Sequence, residues 1–133
     1  MSFNQNATGT GYAPGWFLAD NEQCTRESRK IAANHAQVAT AANGGKYVPM
    51  GAIYPSNDAN AIGIVYEDVD VTTGAMPGSV VTAGTVYLDR LPTAPSEDTT
   101  SGGTTTAGAL STLKALGFKF ITSAPAVTRP DDV

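Results

Sequence analysis

Charged residues are scarce in this sequence. Only 15% of its 133 residues are charged and the formal net charge is −4, whereas an average domain carries roughly 25% charged residues. The Lys and Arg residues form no basic cluster, so the sequence offers neither the phosphate neutralisation that supports nucleic-acid binding nor a polybasic membrane patch. We therefore expect no nucleic acid and no membrane among the partners.

Cysteine and histidine occur once each, as Cys24 and His35. A single cysteine cannot form an internal disulfide, which fits a protein made in a reducing cytoplasm. One cysteine and one histidine also exclude the usual zinc ligand sets. His35 lies in an ordinary polar stretch and no nucleophile signature surrounds Cys24, so both are interpreted as plain surface or arm residues. We expect no metal, no cofactor and no small-molecule substrate.

A pair of carboxylates is the one candidate for a metal-binding or catalytic site. Asp68 and Asp70 are two residues apart and would share one face of a strand, where a pair of acids could hold calcium or perform acid–base work. The loop spacing of a calcium site is missing, however. The favoured interpretation is that these acids cap the turn into Thr72 and pair with Arg90 or Lys46. The chain is therefore not expected to be an enzyme.

Long apolar runs are absent as well. No stretch approaches the length of a membrane span. Residues 1–15 are polar and Gly-rich, with no charged start before an apolar run, so we expect no secretory signal peptide.

Aromatic residues stand out in this polar N-terminal stretch. Phe3, Tyr12, Trp16 and Phe17 fall within the first twenty residues, and aromatic side chains are typical interface anchors. We predict that residues 1–43 form an N-terminal arm whose four aromatics contact a partner. Removal of residues 1–20 should then abolish binding and leave the domain folded. The alternative is that Trp16 and Phe17 fold back onto their own core.

The rest of this segment is ambiguous. Residues 21–43 interleave opposite charges and carry only a weak apolar stripe, which fits either a short helix or an extended arm.

A β-rich domain is predicted over residues 44–133. Segments 46–50, 61–71 and 79–88 read as strands separated by Gly- and Pro-containing turns, a spacing typical of a compact sandwich or barrel. Gly63 lies inside the second strand, which indicates a bulge or a close backbone approach.

The C-terminal part mixes a linker, a helix and a strand. Residues 93–106 read as a flexible Ser/Thr/Gly/Pro linker. A helix is predicted over 106–116, with Leu110, Leu113 and Leu116 on one face, Gly117 as its left-handed cap and a strand over 118–121. The residues predicted to lie in the core or in a trimer interface are Ile62, Ile64, Tyr66, Val81, Leu110, Leu113 and Phe118.

About half of the chain resembles a known family. The resemblance rests on KYVPMGAIYP at 46–55, NDANAIGIV at 57–65, EDVDVT at 67–72, VTAGTVY at 81–87, DRLP at 89–92 and the piece 113–121. These motifs are similar to the head fibre or head decoration proteins of tailed phages and, more distantly, to the lambda-type head-stabilisation protein. They are patterns of strands and turns and carry no chemical signature.

This resemblance implies a β-tulip-like fold, with the N-terminal arm reaching the major capsid protein. It also implies homotrimers at three-fold and quasi-three-fold positions on the outside of the capsid, where they would cement the mature head. The expected location is the outer surface of the virion. Two alternatives remain open: the base domain of a head fibre or another virion component, and a carbohydrate- or surface-binding β-module.

Overall fold

A computed structural model describes residues 14–20 and 22–122 of the chain. This part of the chain is mainly β, as the sequence predicts, and its sheets do not close into a barrel. Its helix is α1 (Ala109–Leu116), and no helix in these ranges is long and apolar enough to cross a membrane. The strands are β1 (Thr25–Ile31), β2 (Ala39–Thr40), β3 (Lys46–Val48), β4 (Ile53–Tyr54), β5 (Gly63–Val65), β6 (Val69–Asp70), β7 (Met76–Ala83), β8 (Thr85–Tyr87), β9 (Thr99–Ser101), β10 (Thr104–Thr106) and β11 (Lys119–Ile121).

The centre of the molecule is a four-stranded antiparallel sheet in the order β1-β7-β5-β4. Consecutive residues of a strand point to opposite faces of a sheet, and in β7 the neighbours Val80 and Val81 are both fully buried. The same holds for Ile64 and Val65 in β5. The central sheet therefore carries a hydrophobic core on each of its two faces.

The two cores have separate members. Burying each of these aliphatic or aromatic side chains stabilises the fold by about 1.5 to 3 kcal/mol. The first core consists of Phe17, Leu18, Ile53, Ala61, Ile64, Val81, Val86, Ala109, Leu113 and Phe118. The second core consists of Ile31, Val48, Ala52, Val65, Val69, Val71 and Val80.

Smaller sheets supply the outer layers. Strands β2, β3 and β6 form an antiparallel sheet whose Val48 and Val69 enter the second core. Strands β8 and β11 pair in parallel, and Leu18 bridges to Val86 on the other side of β8. This second small sheet and α1 cover the first core.

Strand β1 lies in segment 21–43, for which the sequence left a short helix and an extended arm open. Thr25–Ile31 pairs with β7 along its whole length, so this part of 21–43 is neither a helix nor a free arm. It belongs to the β domain, and the boundary predicted at residue 43 does not separate an arm from the domain in the described residues. The pattern was hard to recognise because residues 25–30 are exposed on both faces of the strand.

The long strand predicted over 61–71 is in fact two strands, β5 and β6. Between them, the Asp68 carboxylate accepts a hydrogen bond of 2.7 Å from the Met50 backbone N–H, and β6 then joins the sheet of β2 and β3. Gly63 does mark a close backbone approach, because a Cβ atom there would lie 2.4 Å from the Val81 carbonyl oxygen. The strand predicted over 79–88 is similarly divided at Gly84 into β7 and β8.

The predicted flexible linker contains a β-hairpin instead. Strands β9 and β10 pair across Gly102 and Gly103, whose φ angles of 58° and 82° lie in the left-handed region. Two consecutive left-handed residues are what a tight two-residue hairpin turn requires. Every residue of the two strands is exposed.

Helix α1 begins three residues later than predicted. Its N-cap, Gly108, has no side chain, and the Asp98 carboxylate accepts the Gly108 N–H at 2.9 Å from outside the helix. The C-terminal cap is as predicted, with Gly117 at φ 117°. Leu113 is fully buried, but Leu116 is 50% exposed, so the predicted apolar face is wrong for that residue.

Candidate interaction surface

The N-terminal end of the described chain lies against the β domain. Gly15 donates its N–H to the Tyr66 carbonyl at 2.9 Å, and the Phe17 carbonyl accepts from the Tyr87 N–H at 2.9 Å. The Ala19 N–H donates to the Thr85 carbonyl at 2.8 Å. Residues 17–19 are therefore held along β8, and Gly15 is fastened to the residue that follows β5.

Phe17 is the anchor of this segment. Its side chain is completely buried in the first core. The prediction that Phe17 contacts a partner is therefore wrong for this conformation, and the alternative, that it folds back onto its own core, is correct for this residue. Trp16, its neighbour, is only half-buried. Phe3 and Tyr12 lie outside the described residues.

Arg90 stacks between aromatic rings beside this segment. Its guanidinium carbon lies 4.6 Å from the centre of the Trp16 ring and 5.0 Å from the centre of the Tyr87 ring. The Arg90 Nη1 also donates to the Trp16 carbonyl at 2.9 Å. These contacts hold a cation and two rings in one fixed arrangement at the surface.

A second arginine–aromatic pair lies next to the first. The Arg26 guanidinium carbon lies 4.2 Å above the centre of the Tyr66 ring, and Tyr66 is the residue whose carbonyl binds Gly15. The Tyr66 backbone is thus bonded to the residue that precedes Trp16. We call this set the aromatic–arginine patch: Trp16, Arg26, Tyr66, Tyr87 and Arg90.

The patch is made of residue types that are common at protein interfaces. Trp, Tyr and Arg are the residue types most enriched at the energetic centres of interfaces. A cation over an aromatic ring at an exposed site contributes about 0.5 to 1 kcal/mol, which orients the side chains before any partner arrives. The patch therefore presents pre-ordered anchors.

Only part of the aromatic–arginine patch was predicted from the sequence. Trp16 was among the predicted contact residues, whereas Tyr66 was assigned to the core or trimer interface and Arg90 was expected to pair with the acids before Thr72. Arg26 and Tyr87 were given no role. Arg90 and Trp16 are 74 residues apart in the chain, so no local pattern could have joined them.

The seven residues predicted to lie in the core or in a trimer interface fall into two groups by their burial in this chain. Four of them are buried within this single chain and belong to the first core: Ile64, Val81, Leu113 and Phe118. The other three are half-buried: Ile62, Tyr66 and Leu110.

His35 was expected on the surface but is buried, with 6% of its area exposed. Its Nδ1 accepts the Gln37 N–H at 3.0 Å, so Nε2 carries the proton and donates to the Ile53 carbonyl at 2.9 Å. Both ring nitrogens are thus used in holding the 35–38 turn on β4. His35 has a structural role in this arrangement.

The acidic residues likewise serve the fold. The Asp70 carboxylate accepts the Thr72 N–H at 2.9 Å, as predicted for a turn cap, and hydrogen bonds from the Thr72 side chain and backbone lower the pKa of Asp70. Among the described residues, no group of three or more His, Cys, Asp or Glu side chains could hold a metal ion.

No family model, curated protein or solved structure matches this chain.

Proposed function

We propose that this chain is a structural protein of a tailed-phage virion that decorates the outer surface of the head. In this proposal it binds the major capsid protein as homotrimers at three-fold and quasi-three-fold positions and stabilises the mature shell. The proposal begins from the resemblance of segments 46–92 and 113–121 to head decoration proteins. Those segments supply β3 to β8, the end of α1 and β11.

The aromatic–arginine patch is the observation that carries the proposal. It gathers one Trp, two Tyr and two Arg side chains, the residue types that most often anchor a protein partner. A ligand that binds only the assembled shell stabilises that state by mass action. Many copies on one shell would turn modest single-site affinities into firm attachment.

A carbohydrate-binding module is less well supported. Sugar rings stack on open aromatic faces, and Arg90 and Arg26 already lie over the rings of Trp16 and Tyr66.

Co-sedimentation with heads tests the proposal. Heads of the encoding phage are assembled without this chain, and purified protein is added before centrifugation. We expect saturable binding and a higher melting temperature of the heads. Trp16→Ala should weaken binding about tenfold, as expected for loss of an interface anchor, whereas Lys114→Glu, on the exposed face of α1, should bind like the natural chain. Absence of binding to expanded heads would contradict the proposal.

A further inference from the structure

The outward-facing backbone groups at the two edges of the central sheet differ in their hydrogen-bond partners. At the β4 edge, Ile53 turns its backbone groups outward, because its neighbours Ala52 and Tyr54 use their carbonyls toward β5, accepting from the N–H groups of Val65 and Ile62. The outward groups of Ile53 are nevertheless satisfied by side chains. Its carbonyl accepts from His35 Nε2 at 2.9 Å, and its N–H donates to Gln37 Oε1 at 3.0 Å. Side chains therefore occupy the place of a further strand.

At the opposite edge, β1 ends the sheet, and no strand of the described residues pairs with its outer side. Side-chain cover is given at the end of this strand, where the Lys30 carbonyl accepts a hydrogen bond from the Tyr54 hydroxyl at 3.1 Å. An open edge of this kind is a template for another strand, and natural proteins usually block it.

The register identifies which backbone groups of β1 point outward. The Ser79 carbonyl faces β5, where it accepts the Tyr66 N–H at 2.9 Å. Backbone groups alternate in direction along an antiparallel strand, so Gly78 and Val80 face β1. Their partners Arg29 and Glu27 face β7 in return. Ser28, between them, therefore directs its N–H and carbonyl away from the sheet.

The positive charge of β1 indicates the kind of segment that could pair with it. The strand carries Arg26, Arg29 and Lys30 against Glu27, a formal charge of +2 from three cations and one anion, within a chain of net charge −4. Glu27 is already bound to Arg29 at 2.6 Å. Cationic edge strands repel copies of themselves and favour an added strand that carries carboxylates.

The edge is also continuous with the aromatic–arginine patch. Arg26 belongs to both, since it lies in β1 and stacks on Tyr66. Residues 25–30 are exposed on both faces of the strand, so an added strand would find room for its side chains on either face.

We propose that β1 accepts an extended acidic segment of the partner as a fifth strand of the central sheet. The inference rests on the proposed function, in which that partner is the major capsid protein. Main-chain hydrogen bonds would supply affinity and the cations of β1 would select acidic sequence. The edge and the patch together would form one docking surface.

Two substitutions at one position isolate the main-chain bond. Ser28→Pro removes the outward N–H without removing a bond to β7, whereas Ser28→Ala removes only the hydroxyl. Against heads assembled without this chain, the proline variant should bind about tenfold more weakly than the alanine variant, as expected for one lost hydrogen bond and its unsatisfied partner. Equal binding of two folded variants would overturn the inference.

Charge reversal tests the acidic character of the segment. Arg29→Glu with Lys30→Glu should weaken head binding at least about tenfold at low salt, and Lys114→Glu, a reversal away from β1, should not. A doubly reversed variant that binds as well as the Lys114→Glu control would overturn the inference.

Amide hydrogen exchange on the natural chain needs no variant. In the free protein the Ser28 amide should exchange quickly and the Arg29 amide slowly. On heads, the Ser28 amide should become protected. Binding that leaves Ser28 in fast exchange overturns the strand addition and leaves the proposed function standing, whereas a natural chain that does not bind heads overturns both.

Discussion

Trp16 and Phe17 are neighbours with opposite surroundings. Phe17 is completely buried in the first core, while Trp16 is half-buried at the surface beneath the Arg90 guanidinium. The sequence alone does not show which residue of an aromatic pair in a polar stretch is buried in the core and which lies at the surface, because both residues fit both roles. Backbone bonds to β8 decide the matter by fixing which of the two faces inward.

Alanine substitutions should separate these two roles. Phe17→Ala should lower the free energy of unfolding by about 3 to 5 kcal/mol, because it leaves a cavity in the first core. Trp16→Ala loses a cation–π contact and should cost only about 1 kcal/mol. Urea unfolding of both variants measures the difference. Similar losses in the two variants would contradict the assignment.

His35 offers a second test at this scale. His35→Ala removes the donor to the Ile53 carbonyl and the acceptor of the Gln37 N–H, and should destabilise the fold by about 1 to 3 kcal/mol for each buried group left unsatisfied. The exposed neighbour Asn34 provides the control, since Asn34→Ala should change stability by less than about 0.5 kcal/mol. A neutral His35→Ala would show that the 35–38 turn does not depend on this clamp.

At the scale of elements, the start of α1 is organised from outside the helix. The Ser96 hydroxyl accepts the Ala109 N–H at 2.8 Å, and the Asp98 carboxylate accepts both the Gly108 N–H at 2.9 Å and the Ser111 hydroxyl at 2.6 Å. Gly108 must be glycine because a Cβ atom there would lie 2.4 Å from the Ser96 carbonyl oxygen. The loop before the β9–β10 hairpin thus supplies the missing N-cap.

Acid should weaken this cap. Hydrogen bonds from the Ser111 hydroxyl and then the Gly108 N–H lower the pKa of Asp98 below its ordinary value of 3.8. A carboxylate with a lowered folded-state pKa adds stability above its unfolded pKa and loses it as pH falls through the folded value.

We therefore expect the melting temperature of the natural chain to fall more steeply than that of Asp98→Asn from about pH 5 to about pH 2. Ser111→Ala should remove part of this difference, since it deletes the largest cause of the lowered pKa. Parallel acid profiles of the natural chain and Asp98→Asn would contradict the role of the charge.

The sequence predicted elements whose signals are local. Helix α1 and the Gly117 cap follow from spacing and glycine chemistry. The Gly102–Gly103 turn carried a comparable signal but was absorbed into a Ser/Thr-rich stretch interpreted as a linker. Strand β1 was not predicted, because a strand exposed on both faces lacks the alternation of apolar and polar residues that marks a half-buried strand. Its place in the sheet depends on pairing with β7, some fifty residues later in the chain.

At the scale of the whole molecule, Phe17 and Leu18 belong to the folded unit. Both cores are built from residue 17 onward among the described residues. Removal of residues 1–20, expected from the sequence to leave the domain folded, would take away Phe17 and Leu18. We now expect a chain lacking residues 1–20 to melt at a much lower temperature than one lacking residues 1–13, because only the longer truncation removes Phe17 and Leu18 from the first core. Calorimetry of the two truncations decides this, and equal melting temperatures would contradict the core role of these two residues.

We propose that the molecule lies on the outside of a phage head, held by the aromatic–arginine patch and, beside it, by the β1 edge. Electron cryomicroscopy of heads assembled with and without this chain tests that assignment most directly. We expect added density on the outer surface at three-fold and quasi-three-fold positions, with the patch and β1 turned toward the shell. Density in the tail or inside the shell, or heads that look the same with and without the chain, would contradict it.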